Sequence, residues 1–390
     1  MKNDRIYLSS PHMSDEGYEM QFIKEAFETN WIAPLGKNVD EFEKEFADFI
    51  GVRSAVALNT GTSAIHMALK CLDVGHGDIV FCQSLTFAAT CNPIIYQNAV
   101  PVFIDSDFET WNMCPKALEE AFVKYKKLGK HPKAVIVVHL YGLSADLDKL
   151  LEICEKYRVP LIEDAAESLG TKYKGKQTGS FGKFGIFSFN GNKIITTSGG
   201  GMLVSKDEKA IEKVRFWATQ SREKERHYEH KELGFNYRMS NVLAGIGRGQ
   251  MKVLNQRIQN KKYIFDFYKK YLKGFDFMPI NEWNEPNFWL SCILIPSTFM
   301  GGAGGGMSSL IKTLEKENIE SRHIWKPMHL QPFFAKYDFV GSDVSDRLFY
   351  SGICLPSDTK MDDDDLQRIV CLISKGGENE YSFNPQVAKV

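Results

Sequence analysis

The sequence has no C-x-x-C pair, no apolar run long enough to span a bilayer and almost no net charge. Its eight cysteines are scattered, at positions 71, 82, 91, 114, 154, 292, 354 and 371. This spacing favours neither a zinc site nor a disulfide framework. Several of the cysteines lie in apolar segments, which is typical of buried free thiols. We therefore expect reduced cysteines in the core, no bound metal and a cytoplasmic location.

The formal net charge is only -1, from 48 Lys and Arg against 49 Asp and Glu. A near-neutral balance provides no electrostatic reason to expect nucleic acid or an anionic membrane as the main partner. The first residues, Met1–Arg5, lack the apolar segment of a secretory signal. At 390 residues, the chain is long enough for a large domain and a smaller one.

Short apolar runs alternate with helix-like stretches between about residues 54 and 205. The runs that predict buried strands are 54–58, 78–82, 100–104, 134–138 and 159–163, and later 185–189 and 201–205. The stretches that predict helices are 62–72, 87–97, 115–127 and 145–157. This alternation is typical of an α/β domain with a largely parallel sheet and right-handed crossovers.

A long helical pattern follows at about 241–273 and predicts a helix that joins two domains. We predict a large domain of residues 1–250, with an N-terminal arm, and a smaller C-terminal α+β domain of residues 251–390. The glycine-rich stretch 301–306 lacks the Gly-Lys-Ser/Thr of a phosphate loop, so we expect a flexible surface loop. The four aspartates at 362–365 indicate the acidic start of the last helix rather than a metal site.

Ligands of open α/β sheets bind beyond the carboxyl ends of the strands, so the residues that follow each predicted strand are the first candidates for a binding site. After the first strand, Gly61 and Thr62 open a helix, whose free amides could bind an anion. Hydroxyl and glycine residues at a helix start are also common as simple caps. After the second strand, Phe87 could stack on a flat ring or belong to the core.

Two carboxylates, Asp164 and Glu167, follow the fifth strand. A buried carboxylate needs a cation or strong donors, and both a pyridinium N–H and an ordinary salt bridge would serve. Lys193 comes shortly after Ser188, among apolar, hydroxyl and glycine residues. Desolvation there would lower the pKa of its amine, as covalent attachment to a carbonyl and proton transfer require. Four other lysines lie among polar turn residues: Lys172, Lys174, Lys176 and Lys183.

Together these segments provide a phosphate cradle, an aromatic ring, a carboxylate and a desolvated lysine, which are the parts of a pyridoxal phosphate (PLP) site. The strings SFNGNKIITTSGGG at 188–201, EDAAE at 163–167 and GFNYRMSN at 234–241 resemble the DegT/StrS-type sugar-nucleotide aminotransferases. The similarity extends from NWIAPLG at 30–36 to RHIWKPMHLQP at 322–332. It implies a fold type I PLP-dependent aminotransferase.

The resemblance also implies roles for the cofactor-binding residues. Lys193 would bind PLP covalently and act as the acid–base group, while Asp164 would pair with the pyridine nitrogen. Phe87 would stack on the ring, and Glu167 stands where the family often has Gln beside the ring hydroxyl. The phosphate would be bound by Gly61, Thr62 and Ser188.

Three further residues take roles from the same resemblance. Family members are homodimers with shared sites, which implies that Asn236 reaches the phosphate of the neighbouring subunit. Arg238 and His329 are candidates for binding the nucleotide diphosphate, although His329 could equally be an interface histidine.

The family habit implies L-glutamate as the amino donor and a nucleotide-linked ketosugar as the acceptor. The segments 8–13, 30–36 and 226–230 resemble the bacillosamine-pathway aminotransferases, which act on UDP-4-keto-6-deoxy-GlcNAc. GDP-4-keto-6-deoxymannose and dTDP-ketosugars remain open as acceptors. A PLP sugar dehydratase and a non-catalytic regulator are the other classes. Related dehydratases replace the lysine with histidine, and a regulator needs a lost lysine or a broken cradle, so Lys193 argues for amino transfer.

Overall fold

The structure is a computed structural model that describes residues 4–296 and 306–376. Its helices are α1 (Tyr18–Glu28), α2 (Lys37–Ile50), α3 (Gly61–Cys71), α4 (Ala88–Tyr96), α5 (Pro115–Lys127), α6 (Leu147–Tyr157), α7 (Glu208–Ala218), α8 (Asn241–Tyr271), α9 (Gly306–Lys316), α10 (Val344–Ser351) and α11 (Asp363–Gly376). Short 3-10 helices occur at Leu140–Gly142 and Met328–Leu330.

The strands are short, as expected for a sheet covered on both faces. They are β1 (Ser54–Leu58), β2 (Ile79–Gln83), β3 (Val100–Ile104), β4 (Pro132–Val138), β5 (Leu161–Asp164), β6 (Lys172–Tyr173), β7 (Lys176–Gln177), β8 (Phe184–Ser188), β9 (Gly201–Ser205), β10 (Asp276–Phe277), β11 (Asn284–Glu285), β12 (Ser291–Leu294), β13 (Arg322–His323), β14 (Phe339–Val340) and β15 (Gly352–Leu355).

Eight strands form the central sheet, in the order β1-β9-β8-β5-β4-β2-β3-β14. The six from β8 to β14 are mutually parallel, whereas β9 runs antiparallel to both β8 and β1. The predicted largely parallel α/β sheet is therefore confirmed. Its inner strands are buried along their length, because helices pack on both faces.

The C-terminal part of the chain forms a second sheet of four antiparallel strands, in the order β10-β12-β15-β13. Apolar side chains of α8, α9 and α11 cover this sheet and form a core of their own. The smaller α+β unit of the predicted fold is thus present. The predicted glycine-rich loop, 301–306, lies outside the described residues except for Gly306, which begins α9.

The proposed division at residue 250 falls inside α8, and the later chain does not stay in the smaller unit. Strand β14, at 339–340, returns to pair with β3 at the edge of the central sheet. At the other end, Ile6 forms a bridge with Ile319. Long-range pairing of such two-residue segments leaves little trace in the sequence. The described residues contain no helix with the length and apolar character of a membrane span.

Candidate active site

A cavity of about 250 Å³ opens at the carboxyl ends of the central strands. It collects seven of the ten residues predicted for the site: Gly61, Thr62, Phe87, Asp164, Glu167, Ser188 and Lys193. Asn236, Arg238 and His329 do not line it. In the described residues, no group of three or more His, Cys, Asp or Glu side chains is positioned to hold a metal.

The start of α3 forms one wall of the cavity and is built to leave amides free. Thr60 caps the helix, because its hydroxyl accepts a hydrogen bond from the amide of Ser63 at 3.0 Å. The first amides of a helix have no acceptor within it, so those of Gly61 and Thr62 are available to an anion. A Cβ on Gly61 would lie 3.2 Å from that of Ser188, so glycine lets the helix approach β8 closely.

Asp164 is buried at the end of β5 and faces the cavity. One of its oxygens accepts from the hydroxyl of Thr90 at 2.7 Å, and the other from the amide of Ala166 at 3.2 Å. Thr90 is held in turn by Thr86, 2.7 Å away. Burial raises the pKa of Asp164 above its usual value. Two neutral donors do not balance a buried charge, so a cationic N–H in the cavity would complement this carboxylate.

The neighbouring carboxylate, Glu163, has a different role because successive strand residues point to opposite faces. It is fully buried and accepts amide hydrogen bonds from Gly179, Phe181 and Gly182 at 2.7–2.8 Å. It also accepts from Nε2 of His139 at 2.9 Å. Glu163 therefore stabilises the fold, whereas Asp164 faces the cavity and can meet a ligand.

Lys193 enters the cavity on the loop between β8 and β9, and its side chain is only 11% exposed. Its Nζ lies 3.8 Å from an oxygen of Glu167, too far for a hydrogen bond. Burial lowers the pKa of Lys193 and raises that of Glu167 to about 7. The other lysines that the sequence offered form exposed ion pairs or lie at the surface: Lys172, Lys174, Lys176 and Lys183.

Phe87 immediately precedes α4 at the mouth of the cavity and is 53% exposed, so it is not a core residue. Its ring meets that of Trp325 edge to face, with 4.7 Å between the ring centres. Sequence reasoning missed both Trp325 and Thr90 as cavity residues. Trp325 lies inside the RHIWKPM segment, and Thr90 lies one helical turn after Thr86, so faint signals for both existed.

The three remaining candidates have other partners in the structure. Arg238 is buried and donates to Glu43 at 2.9 Å, beside a groove that Asn236 also lines. His329 lies between Ser84, 2.7 Å from its Nδ1, and Asp346, 3.0 Å from its Nε2. Both ring nitrogens of His329 thus have a polar neighbour within its own chain. The side chain of Asn236 is exposed and does not line this chain's own cavity.

The cavity fits PLP part by part. The free amides of α3 and the hydroxyl of Ser188 would hold the phosphate, Asp164 would meet the ring nitrogen, and Lys193 would supply the amine. Phe87 would cover the ring. Bound PLP would supply an electron sink for the bond made or broken at the substrate carbon.

The fold and the cavity define a fold type I PLP-dependent aminotransferase. The model of the DegT/DnrJ/EryC1/StrS aminotransferase family matches residues 14–374. The chain therefore belongs to this family of sugar-nucleotide aminotransferases, and PLP is its cofactor. A similar solved structure is a DegT/DnrJ/EryC1/StrS aminotransferase from Brucella abortus, with 28% identity, a TM-score of 0.86 and coverage of 93% of this chain and 96% of that one.

Relatives with named activities extend the comparison. EpsN of Bacillus subtilis, provisionally designated a PLP-dependent aminotransferase, is 53% identical over 94% of both chains. GDP-perosamine synthase of Caulobacter vibrioides is 34% identical over 95% of this chain and 98% of its own. UDP-4-amino-4,6-dideoxy-N-acetyl-beta-L-altrosamine transaminase of Campylobacter jejuni is 39% identical over 60% of this chain and 62% of its own.

Proposed function

We propose that the protein transfers the amino group of L-glutamate to C4 of a nucleotide-linked 4-keto-6-deoxy sugar. The acceptor that we favour is UDP-4-keto-6-deoxy-GlcNAc, and the products are its 4-amino form and 2-oxoglutarate. The observation that carries the proposal is the buried amine of Lys193, which faces a cavity with an anion-binding helix start and a buried carboxylate. These groups provide what amino transfer needs: an amine, an anion site and a carboxylate for the ring nitrogen.

The residues divide the work between binding and proton transfer. Lys193 moves the proton: its amine takes one from the α-carbon of glutamate and returns one to the sugar carbon that receives nitrogen. Asp164 holds a positive charge at the ring nitrogen. Burial raises the pKa of Glu167 to about 7, so its carboxyl can carry a proton near neutral pH. It could then donate a hydrogen bond to the ring hydroxyl oxygen of PLP. Phe87 limits how the sugar approaches the cavity mouth.

Two observations bear on the nucleotide. The segments 8–13, 30–36 and 226–230 resemble bacillosamine-pathway enzymes, and the Campylobacter jejuni relative acts on a UDP-linked sugar by its name. That relative covers less of the chain than GDP-perosamine synthase does. A GDP-linked 4-keto-6-deoxymannose is therefore the second candidate, and dTDP-ketosugars are the third.

A panel of UDP-, GDP- and dTDP-linked 4-keto-6-deoxy sugars, each supplied with glutamate, tests the substrate. We expect the UDP-linked N-acetyl sugar to yield 2-oxoglutarate and an amino sugar with kcat/KM at least about tenfold above the others, since one lost polar contact typically costs ~1.4 kcal/mol or more. Mass spectrometry of the sugar product and coupled detection of 2-oxoglutarate provide the measurement. If every UDP sugar is inert while a GDP sugar reacts, the nucleotide assignment is wrong and the reaction class stands.

We also propose a cytoplasmic homodimer in which Asn236 of the partner subunit completes the phosphate site. The side chain of Asn236 is exposed. Two large apolar side chains are exposed as well: Leu35, which lines the same groove, and Leu233, three positions earlier in the chain. Large exposed apolar side chains are typical of subunit interfaces. A second copy on this surface would bury them and bring Asn236 to a cavity that it does not line in its own chain.

Mixing two inactive variants tests whether the site is shared. Lys193→Ala and Asn236→Ala each damage every site of their own homodimers. After mixing and subunit exchange, half of the dimers are hybrid and carry one intact site, so activity should return to about a quarter of the wild-type level, as two-fold symmetry requires. Activity that stays at the level of the separate variants, despite hybrids detected by native mass spectrometry, would place Asn236 outside the neighbouring site.

A further inference from the structure

Trp289 lies directly beneath the amine of Lys193, although it is 96 positions away in the chain. The Nζ of Lys193 is 4.1 Å from the centre of the indole ring. Trp289 is 1% exposed and lies just before β12 of the C-terminal sheet, whereas Lys193 lies on the loop between β8 and β9 of the central sheet. None of the roles considered so far includes it.

Trp289 is held in place at four points, two on its ring and two on its backbone. Its Nε1–H donates to the carbonyl of Asn192 at 2.8 Å, which ties it to the loop of Lys193. The backbone N–H of Trp289 donates to the side chain of Asn287 at 2.9 Å, and its carbonyl accepts from the buried Nζ of Lys261 at 2.9 Å. The ring of Tyr141 lies nearly parallel to it, at 24°. Such a ring cannot turn away from the amine.

Lys193 needs a partner of this kind when its amine is protonated. The charged groups that act on it are Glu167 and Asp164, and in the described residues its Nζ makes no direct hydrogen bond. A carboxylate in contact would stabilise the ammonium, but it would also compete for the proton. The face of an indole attracts a cation without accepting its proton. The N–H bonds of Lys193 thus stay free to point into the cavity.

We propose that Trp289 is a positioning residue, whose indole face holds the protonated amine of Lys193 and keeps it aimed at the reacting carbon between proton transfers. The inference rests on Lys193 as the cofactor lysine and is independent of which sugar is the acceptor. The attraction between the ring and the ammonium would offset part of the free-energy cost of burying that charge. Removing the ring should therefore leave an amine that loses its proton more readily.

The test compares Trp289→Phe, which keeps an aromatic face but loses the N–H, with Trp289→Leu, which loses both. The full-length enzyme is loaded with pyridoxamine phosphate, so that the amine of Lys193 is not bonded to the cofactor. Brief acetylation at a series of pH values, read by peptide mass spectrometry, reports the pKa of Lys193. We expect it to fall by about one unit in Trp289→Leu and by less in Trp289→Phe. The exposed Lys176 is the internal control and should titrate alike in all three proteins.

Two outcomes would overturn the proposal: an unchanged pKa of Lys193 in Trp289→Leu, or an equal fall in both variants, which would leave only the N–H bond or packing as the cause. If Trp289→Leu does not fold, polyfluorinated tryptophan decides the matter, because it weakens the ring's pull on a cation with little change of shape. Incorporated throughout, it should lower the pKa of Lys193 in the wild type and leave it unchanged in Trp289→Phe. No sugar is present, so failure of the substrate proposal would not alter these results.

Discussion

Replacing Lys193 by Ala is expected to abolish transamination and to remove the visible absorbance of the covalently held cofactor. The rate should fall by roughly 10⁴-fold or more, because one side chain provides both the covalent attachment and the proton transfers of the two half-reactions. Among residues 4–296 and 306–376, Lys193 is the one lysine that lines the cavity, so no other lysine there is placed to replace it. Absorbance spectra and single-turnover assays with glutamate provide the measurements.

Lys176→Ala is the matched control for this experiment. Lys176 is exposed on β7, and its loss should leave the spectrum and the rate unchanged. A Lys193→Ala protein that kept both the visible absorbance and full activity would show that the cofactor is held elsewhere. Cofactor that binds noncovalently to the variant would not contradict the assignment, because the phosphate cradle and Asp164 remain in place.

Asp164→Asn is expected to lower kcat by about 10²- to 10³-fold while the protein stays folded. The amide keeps the shape of the side chain and its contact with Thr90, but it carries no charge to hold a proton on the ring nitrogen. Without that proton, the ring would stabilise the electron pair left at the reacting carbon less well, in both half-reactions. Stopped-flow rates for glutamate alone and for the sugar alone should fall together, because each half-reaction needs the same carboxylate.

The adjacent residue supplies a control of the same chemistry. Glu163→Gln makes the same change of carboxylate to amide one position earlier, on the opposite face of β5. Its new NH₂ would face backbone N–H donors, so the free energy of unfolding should fall by about 2 kcal/mol or more. The rate per folded molecule should stay unchanged. If Glu163→Gln lowered kcat as much as Asp164→Asn did, the separation of roles between the two carboxylates would be wrong.

Much of the cofactor side of the site could be predicted because local chemistry marks it. Gly61 and Thr62 open a helix straight after an apolar strand, and Lys193 is a lysine among apolar and hydroxyl neighbours instead of charged ones. Strand ends of a parallel sheet converge at one edge, so these segments meet whatever the details of the loops. The strands at 54–58, 100–104 and 201–205 have the predicted bounds for the same reason: each is a continuous apolar run between turn residues.

Other parts could be resolved only by three-dimensional packing. Glu163 and Asp164 are adjacent carboxylates at the end of an apolar strand, and the pleat of β5 decides which of them meets the cavity. Arg238 reads as a free cation for a diphosphate, but it is paired with Glu43 on α2, 195 positions away in the chain. Arg215 contacts the other oxygen of the same carboxylate. His329 reads in the same way, yet Ser84 and Asp346 occupy both of its nitrogens.

The sequence by itself therefore determined the α/β sheet, the family and most of the residues that line the cavity, because these depend on patterns within about a dozen residues. The tertiary structure alone decided which charges remain free and what surrounds the amine of Lys193. Trp289 reaches that amine from the segment just before β12 of the second sheet, and β14 joins the first sheet from the C-terminal part. Contacts between such distant segments depend on how whole layers pack, and two or three residues of sequence carry no sign of their partners.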